Sequence, residues 1–159
     1  MANITFISVG TLKEDYLRAA LSEYKKRLSQ YARVEEVELK EERITDEENP
    51  QQIAKAIRAE GEKILAAVPS GAYKVALCIE GTQYSSEGLA KIVEGASDTN
   101  GKLAFIIGSS HGLSDEVKRA ADLRLSFSRL TFPHQLMRVI LAEAVYRSFS
   151  IIHGRRYHK

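Results

Sequence analysis

From Asn3 to Phe149 the chain alternates short runs of β-branched and aromatic residues with longer segments whose apolar side chains recur at helical spacing. That alternation leaves few architectures open, because parallel strands need crossover helices, which then cover both faces of the sheet. Asn3 to Val9 closes on Gly10 and predicts a buried first strand. Glu14 to Ser29 carries Tyr16, Leu17, Ala20, Leu21, Tyr24 and Leu28 on one helical stripe. Arg33 to Leu39 alternates apolar residues with glutamate, the pattern of a half-exposed strand near an edge. Lys40 to Asn49 is highly charged and predicts a mobile connection, with Thr45 and Glu48 at capping-box spacing and Pro50 suited to a first helical turn.

A second helix is expected over Gln51 to Val68. Tyr73 to Ile79 and Leu103 to Ile107 are apolar runs bounded by glycines, as in central strands covered on both sides. Ser85 to Ala96 predicts the helix between them, and Ser114 caps a short helix whose first turn holds Asp115 and Glu116. Leu123 to Phe127 is the expected last strand and His134 to Phe149 the last helix. Together these describe one three-layer α/β domain over residues 1–159, with a mostly parallel sheet of about five strands.

Several classes of function are excluded at this level. No run approaches the roughly 18 continuous apolar residues of a membrane span, and the opening MANITFISVG lacks the basic region and cleavage site of a signal peptide. A soluble, cytoplasmic protein is expected. The lone Cys78 sits in the apolar run Val75 to Ile79 and reads as a reduced, buried thiol. No Cys/His cluster has metal spacing and the acidic run Glu41 to Glu48 lacks the order of a calcium loop, so no metal is inferred. The phosphate-binding P-loop is missing, and the first strand ends in Gly10-Thr11-Leu12 instead of a G-x-G-x-x-G turn.

Net charge is +2 overall, but it is polarised along the chain. Residues 1–117 hold 14 Lys and Arg against 19 Asp and Glu, whereas residues 118–159 hold 9 against 2. Such asymmetry points to a polyanionic partner or to a solvated face balanced in space by the acidic half.

In open parallel sheets ligands bind beyond the carboxyl ends of the strands. Three loops there stand out: Glu80-Gly81-Thr82, Gly108-Ser109-Ser110-His111-Gly112, and Ser128 to Pro133. Their glycines and hydroxyls offer backbone approach and amide hydrogen bonds, which suits a neutral or zwitterionic nucleoside better than a triphosphate. Of the histidines, His134 reads as a capping or packing residue, His111 shapes the cleft loop, and His153 faces the last helix's carboxyl end. His158 has no obvious packing duty, and is either functional or part of a frayed tail. The last helix is apolar nearly all round, leaving chiefly Gln135, Arg138, Glu143 and Arg147 polar, so it must be covered on two sides, by its own sheet and by a partner subunit.

Taken together, Val9-Gly10, Glu60-Gly61-Glu62, Leu77 to Gly81, Ile107-Gly108 with Gly112-Leu113, Leu125-Ser126 with Leu130-Thr131, Pro133-His134, Arg138-Val139, Glu143, Tyr146-Arg147 and Tyr157-His158 resemble, in order and spacing, the RlmH family of the SPOUT methyltransferases. The resemblance runs end to end. It implies an α/β knot, with a C-terminal trefoil forming an S-adenosylmethionine pocket, and a homodimer that methylates N3 of a pseudouridine in large-subunit (23S) ribosomal RNA on the ribosome. It places the cofactor against Leu77, Gly108 and the run Phe127, Ser128, Arg129, Leu130, Thr131 and Phe132. It brings the tail to the neighbouring subunit's cofactor. A titratable ring on a basic tail beside that pocket then suggests that His158 removes or relays the imide proton, with Arg147, Arg155 and Tyr157 toward the RNA. Cys78 stands where an acidic residue is common in the family, and Ser109-Ser110-His111 replaces a second glycine and an Asn or Glu. Two other readings are open at this point: a SPOUT ribose 2′-O-methyltransferase acting on tRNA, and a non-catalytic dimeric RNA-binding or ribosome-assembly module.

Overall fold

A computed structural model of the protein describes residues 1–158. Five strands and five helices alternate: β1 (Ala2–Val9), α1 (Asp15–Leu28), β2 (Ala32–Leu39), α2 (Pro50–Ala67), β3 (Tyr73–Thr82), α3 (Ser86–Thr99), β4 (Lys102–Ile107), α4 (Asp115–Ala120), β5 (Leu123–Leu125) and α5 (His134–Ile152). All strand pairs are parallel, in the order β2-β1-β4-β3-β5, so β1 and β4 lie inside and β2 is an edge as its alternating glutamates predict.

Side-chain alternation along the strands divides the core in two. Ile4, Phe6, Val75, Leu103, Phe105 and Leu125 face α1, α3 and α5. Ile7, Val9, Ala76, Ala104 and Ile106 face α2 and α4 through Ile64 and Val117. Burial of apolar area on both faces is what holds the layers together.

Four expectations need correcting. The N-cap of α2 is Asn49, whose side chain accepts from the Gln51 and Gln52 amides, with Pro50 in the first turn. Thr45 instead donates to Gln52 Oε1 through its amide at 2.6 Å. The connection before α2 is also tied down: the Glu42 amide donates to the buried Glu60 carboxylate at 3.0 Å, and Lys63 pairs with Glu42 at 2.6 Å. Charge along a segment does not tell whether partners wait for it elsewhere in the chain.

Strand β3 runs on to Thr82, and β5 stops at Leu125. Leu125 pairs with both Leu77 and Thr82, so Cys78 to Gly81 bulge out of the ladder, and the Ser126 amide donates to Thr82 O at 3.0 Å. Helix α5 continues to Ile152 and ends in a Schellman motif: Gly154 has φ +64°, its amide donates to Ile151 O, and the Arg155 amide donates to Ser150 O.

The fourth correction concerns what covers α5 within one protomer, where α1 and α3 add to the sheet. Val139, Leu141, Ala142, Val145 and Phe149 are buried in the same core as residues of α1 and α3, and Tyr24 and Tyr31 pack their rings against Tyr146 and Phe149. Its apolar circumference is thus largely covered within one protomer by the sheet and two helices. Leu136 stays exposed, with Ile140 and Ile151 half-buried along the same side.

Candidate functional site

The three singled-out loops do converge. At the carboxyl ends of β3, β4 and β5 they enclose a cavity of about 540 Å³, within the size range of small-molecule sites. The β3 bulge forms one wall, with Ile79 68% exposed at the mouth. Gly81 is required there, since an added Cβ would lie 2.7 Å from Arg124 O on the neighbouring strand.

The loop after β4 forms a second wall. Its turn is closed by the Gly112 amide donating to Ser109 O at 2.9 Å, with Gly112 at φ +88° where a side chain is disfavoured. Gly108 lies against this turn: a Cβ on it would meet Gly112 O at 2.5 Å and Leu113 Cδ2 at 2.9 Å. Replacing Gly108 with Ala is therefore expected to force the turn outward, costing about 1–3 kcal/mol of stability in urea unfolding. An unchanged midpoint would show that the turn yields freely.

The third wall is the segment after β5. The Leu130 amide donates to Ser128 Oγ at 3.0 Å, a serine turn that sets the path from Phe127 to Phe132. Pro133 follows, its carbonyl taking the Met137 amide at 2.9 Å to start α5.

Leu77, Gly108, Phe127, Ser128, Leu130, Thr131 and Phe132 all line the cavity. Arg129 lies among them in sequence but is exposed and is not part of the lining. Cys78 is half-buried on the wall, not sealed in the core, because the bulge carries it out of the ladder. Burial, and then the charge of Glu80, push its thiol above the ordinary range.

Lining residues that sequence patterning missed include Lys118, His134 and Met137. Lys118 forms an ion pair with Glu80, and its hydrogen bond holds that carboxylate below the usual range. His134 and Met137 lie one helical turn apart at the start of α5, a spacing that is informative only once the helix is known to begin beside the cavity. His111 lines the cavity as part of the loop after β4, and its Nε2 lies 2.9 Å from Glu47 Oε2. The interior is apolar surface with backbone amides and hydroxyls, and its charges are paired at the margins. Among the described residues there is no group of His, Cys, Asp and Glu able to hold a metal ion, and no helix is long and apolar enough to cross a membrane.

The tail residues assemble elsewhere. Tyr157 donates to Glu143 Oε1 at 3.0 Å and packs edge-on against Tyr146, with the Arg147 guanidinium 4.7 Å from its ring centroid. Burial, reinforced by the Glu143 carboxylate, pushes the Tyr157 phenol up to about 12. Burial works against the charge of Arg147, but the hydrogen bond and charge of Glu143 raise its pKa on balance.

His158 bridges two elements: Arg147 Nη1 lies 3.0 Å from its Nδ1, and Glu87 Oε1 lies 2.7 Å from its Nε2. A guanidinium can only donate, so Nδ1 is the acceptor and Nε2–H faces Glu87. Arg155 is exposed and stands apart from this group. None of these four residues lines the cavity of its own protomer.

Comparison with known proteins gives a consistent picture. Residues 2–158 match the family model described as a predicted SPOUT methyltransferase. The chain is 51% identical over 156 residues to the ribosomal RNA large subunit methyltransferase H of Caldicellulosiruptor bescii, covering 98% of this chain and 99% of that one. It is 47% identical over 158 residues to the protein of the same name in Shouchella clausii, covering 99% of each. Among solved structures it resembles a probable methylase family protein from Haemophilus influenzae, with a TM-score of 0.57 at 14% identity, covering 99% of this chain and 71% of the other. It also resembles the tRNA (m1G37) methyltransferase of Aquifex aeolicus, with a TM-score of 0.51 at 15% identity, covering 91% and 69%. These last two likenesses bear on the fold alone.

Proposed function

Since the chain belongs to the SPOUT methyltransferase family, we propose that it is an S-adenosylmethionine-dependent enzyme that methylates large-subunit ribosomal RNA, at N3 of a pseudouridine, on the ribosome in the cytoplasm. The observation that carries this reading is the end-to-end likeness to ribosomal RNA large subunit methyltransferases H. Those names favour it over a tRNA ribose methyltransferase or a binding module without activity. The residues suit the cofactor: Gly108 lets the Gly112 turn close against the end of β4, and the lining offers apolar walls with amide and hydroxyl partners.

When bound, the cofactor supplies an electrophilic methyl carbon on a sulfonium, a chemistry that calls for positioning and proton removal. Leu77, Gly108 and the segment Phe127 to Phe132 would hold it, Arg129 through its backbone alone. The single domain 1–159 works as a homodimer whose C-terminal stretch is threaded as a trefoil, so that the tail of one copy completes the cavity of the other. The separation of His158 from the cavity of its own protomer supports this division of labour.

In that composite site His158 accepts the imide proton at Nδ1 while Nε2–H stays on Glu87, which orients the ring and stabilises its cation. The substrate takes the place of Arg147 on Nδ1, and Arg147, Tyr157 and Arg155 hold the base and its phosphates. The test is methyl transfer to ribosomes from a strain lacking the endogenous activity, with the product mapped by mass spectrometry. A methyl on N3 of one large-subunit pseudouridine is expected. Label on a ribose hydroxyl, or none despite cofactor binding, refutes the assignment.

A further inference from the structure

Of the 9 Lys and Arg between residues 118 and 159, several are already engaged inside the protein. Lys118 pairs with Glu80, Arg138 is buried against Glu36 and Glu38, and Arg147 is held by Glu143. Among the described residues, the cations that still face solvent fall in two places. Arg155 and Arg156 follow α5, while Arg119, Arg124 and Arg129 stand beside the cavity.

The placement of these three follows from the strand. Leu123 and Leu125 turn toward the α3 and α5 side of the sheet, so Arg124 projects to the opposite face. That face carries α4, whose last turn is Lys118 and Arg119. Arg129 lies a few residues on, in the loop that forms the third wall. Strand β5 is the outer strand of the sheet, and this edge has no neighbour.

Among the described residues neither Arg124 nor Arg129 has a carboxylate in ion-pair reach. Arg119 meets only Glu116, at 3.7 Å on the exposed surface, a contact worth little. The nearby Asp122 already accepts from the Lys74 amide at 2.7 Å and pairs with its ammonium. Arg124 is also close enough to act on Glu80 at the cavity wall, whose carboxylate is held low first by the Lys118 hydrogen bond and in smaller part by Arg124.

We propose that Arg119, Arg124 and Arg129 form a ridge along the open edge of the sheet that takes the phosphate backbone of the RNA while the target base enters the adjoining cavity. The ridge rests on the reading of the protein as an RNA methyltransferase and names where its substrate lies. Guanidinium groups suit the role because their planar forks match phosphate oxygens, and each contact releases counterions.

The test compares wild type with the double variant Arg119→Gln/Arg124→Gln and with Arg119→Lys/Arg124→Lys in methyl transfer to ribosomes across a salt series. For the Gln pair, KM for ribosomes should rise on the order of tenfold, and the slope of log affinity against log salt should shrink by about 1.5. The Lys pair should keep most of that slope, and the heat of S-adenosylmethionine binding should be unchanged in both. An unchanged KM and slope in the Gln pair, or an equal loss of cofactor heat, overturns the ridge. If wild type transfers no methyl at all, the enzymatic reading fails by itself, and the ridge is then judged by filter retention of ribosomal RNA over the same salt series, where an unaltered slope sinks it.

Discussion

Arg138→Met is expected to lower the unfolding free energy by about 3 kcal/mol, the low end of the range for removing one partner of a buried ion pair. The side chain is 4% exposed. Its guanidinium donates to Glu38 at 2.7 Å and to Gly10 O at 3.3 Å, and lies 3.6 Å from Glu36. Methionine keeps most of the volume, so the loss reports charge more than packing. It would leave two carboxylates on one face of β2 without their shared cation, and one oxygen of Glu36 is already buried without a hydrogen bond. Lys25, 3.7 Å from Glu36, gives partial relief and keeps the effect at the low end. Urea unfolding should show a lower midpoint with an unchanged slope, and adding Glu36→Gln and Glu38→Gln to the variant should recover much of the difference. A loss under about 1 kcal/mol would mean that the carboxylates reach water once the arginine is gone.

The second large effect concerns turnover. His158→Ala should reduce kcat by about 10²–10³-fold, the usual contribution of a positioned general base, with binding of S-adenosylmethionine largely kept because Leu77, Gly108 and the segment after β5 still line the cavity. Glu87→Gln should give a smaller loss with the same cofactor affinity, since it removes the charge that orients Nε2 across 2.7 Å. Single-turnover rates with saturating ribosomes separate this from weakened RNA binding. Unchanged turnover in the alanine variant would assign proton loss to solvent.

Much of the architecture was legible because its signals are local. The 3.6- and 2-residue periods of Leu17 to Leu28 and of Val34 to Leu39 come from covering one face of a helix or strand, and that need is met wherever the partner lies. Ser114 caps its helix as read, since a cap bonds within its own first turn. Leu77, Gly108 and most of Phe127 to Phe132 were placed in one site on the strength of a family resemblance combined with the rule for parallel sheets.

What escaped was set by residues distant in sequence. Asn49 prevailed over Thr45 because Gln52 drew Thr45 into another bond. Cys78 left the core because Leu125 pairs twice with β3. The outward turn of Arg129, the double bond of His158 to Arg147 and Glu87, and the burial of Arg138 all depend on elements separated by many residues, and no periodicity encodes them.

The seat of α5 between α1 and α3 bears on how the polypeptide matures. Until residues beyond 133 are synthesised, Leu17, Leu21, Leu89 and Val93 have no cover from that side. A nascent or clipped product ending before that point would display a greasy furrow across two helices, a surface that invites chaperone capture and aggregation. Quality control therefore has a natural checkpoint in the final twenty-odd residues: products that lack them should be degraded instead of accumulating as inert enzyme.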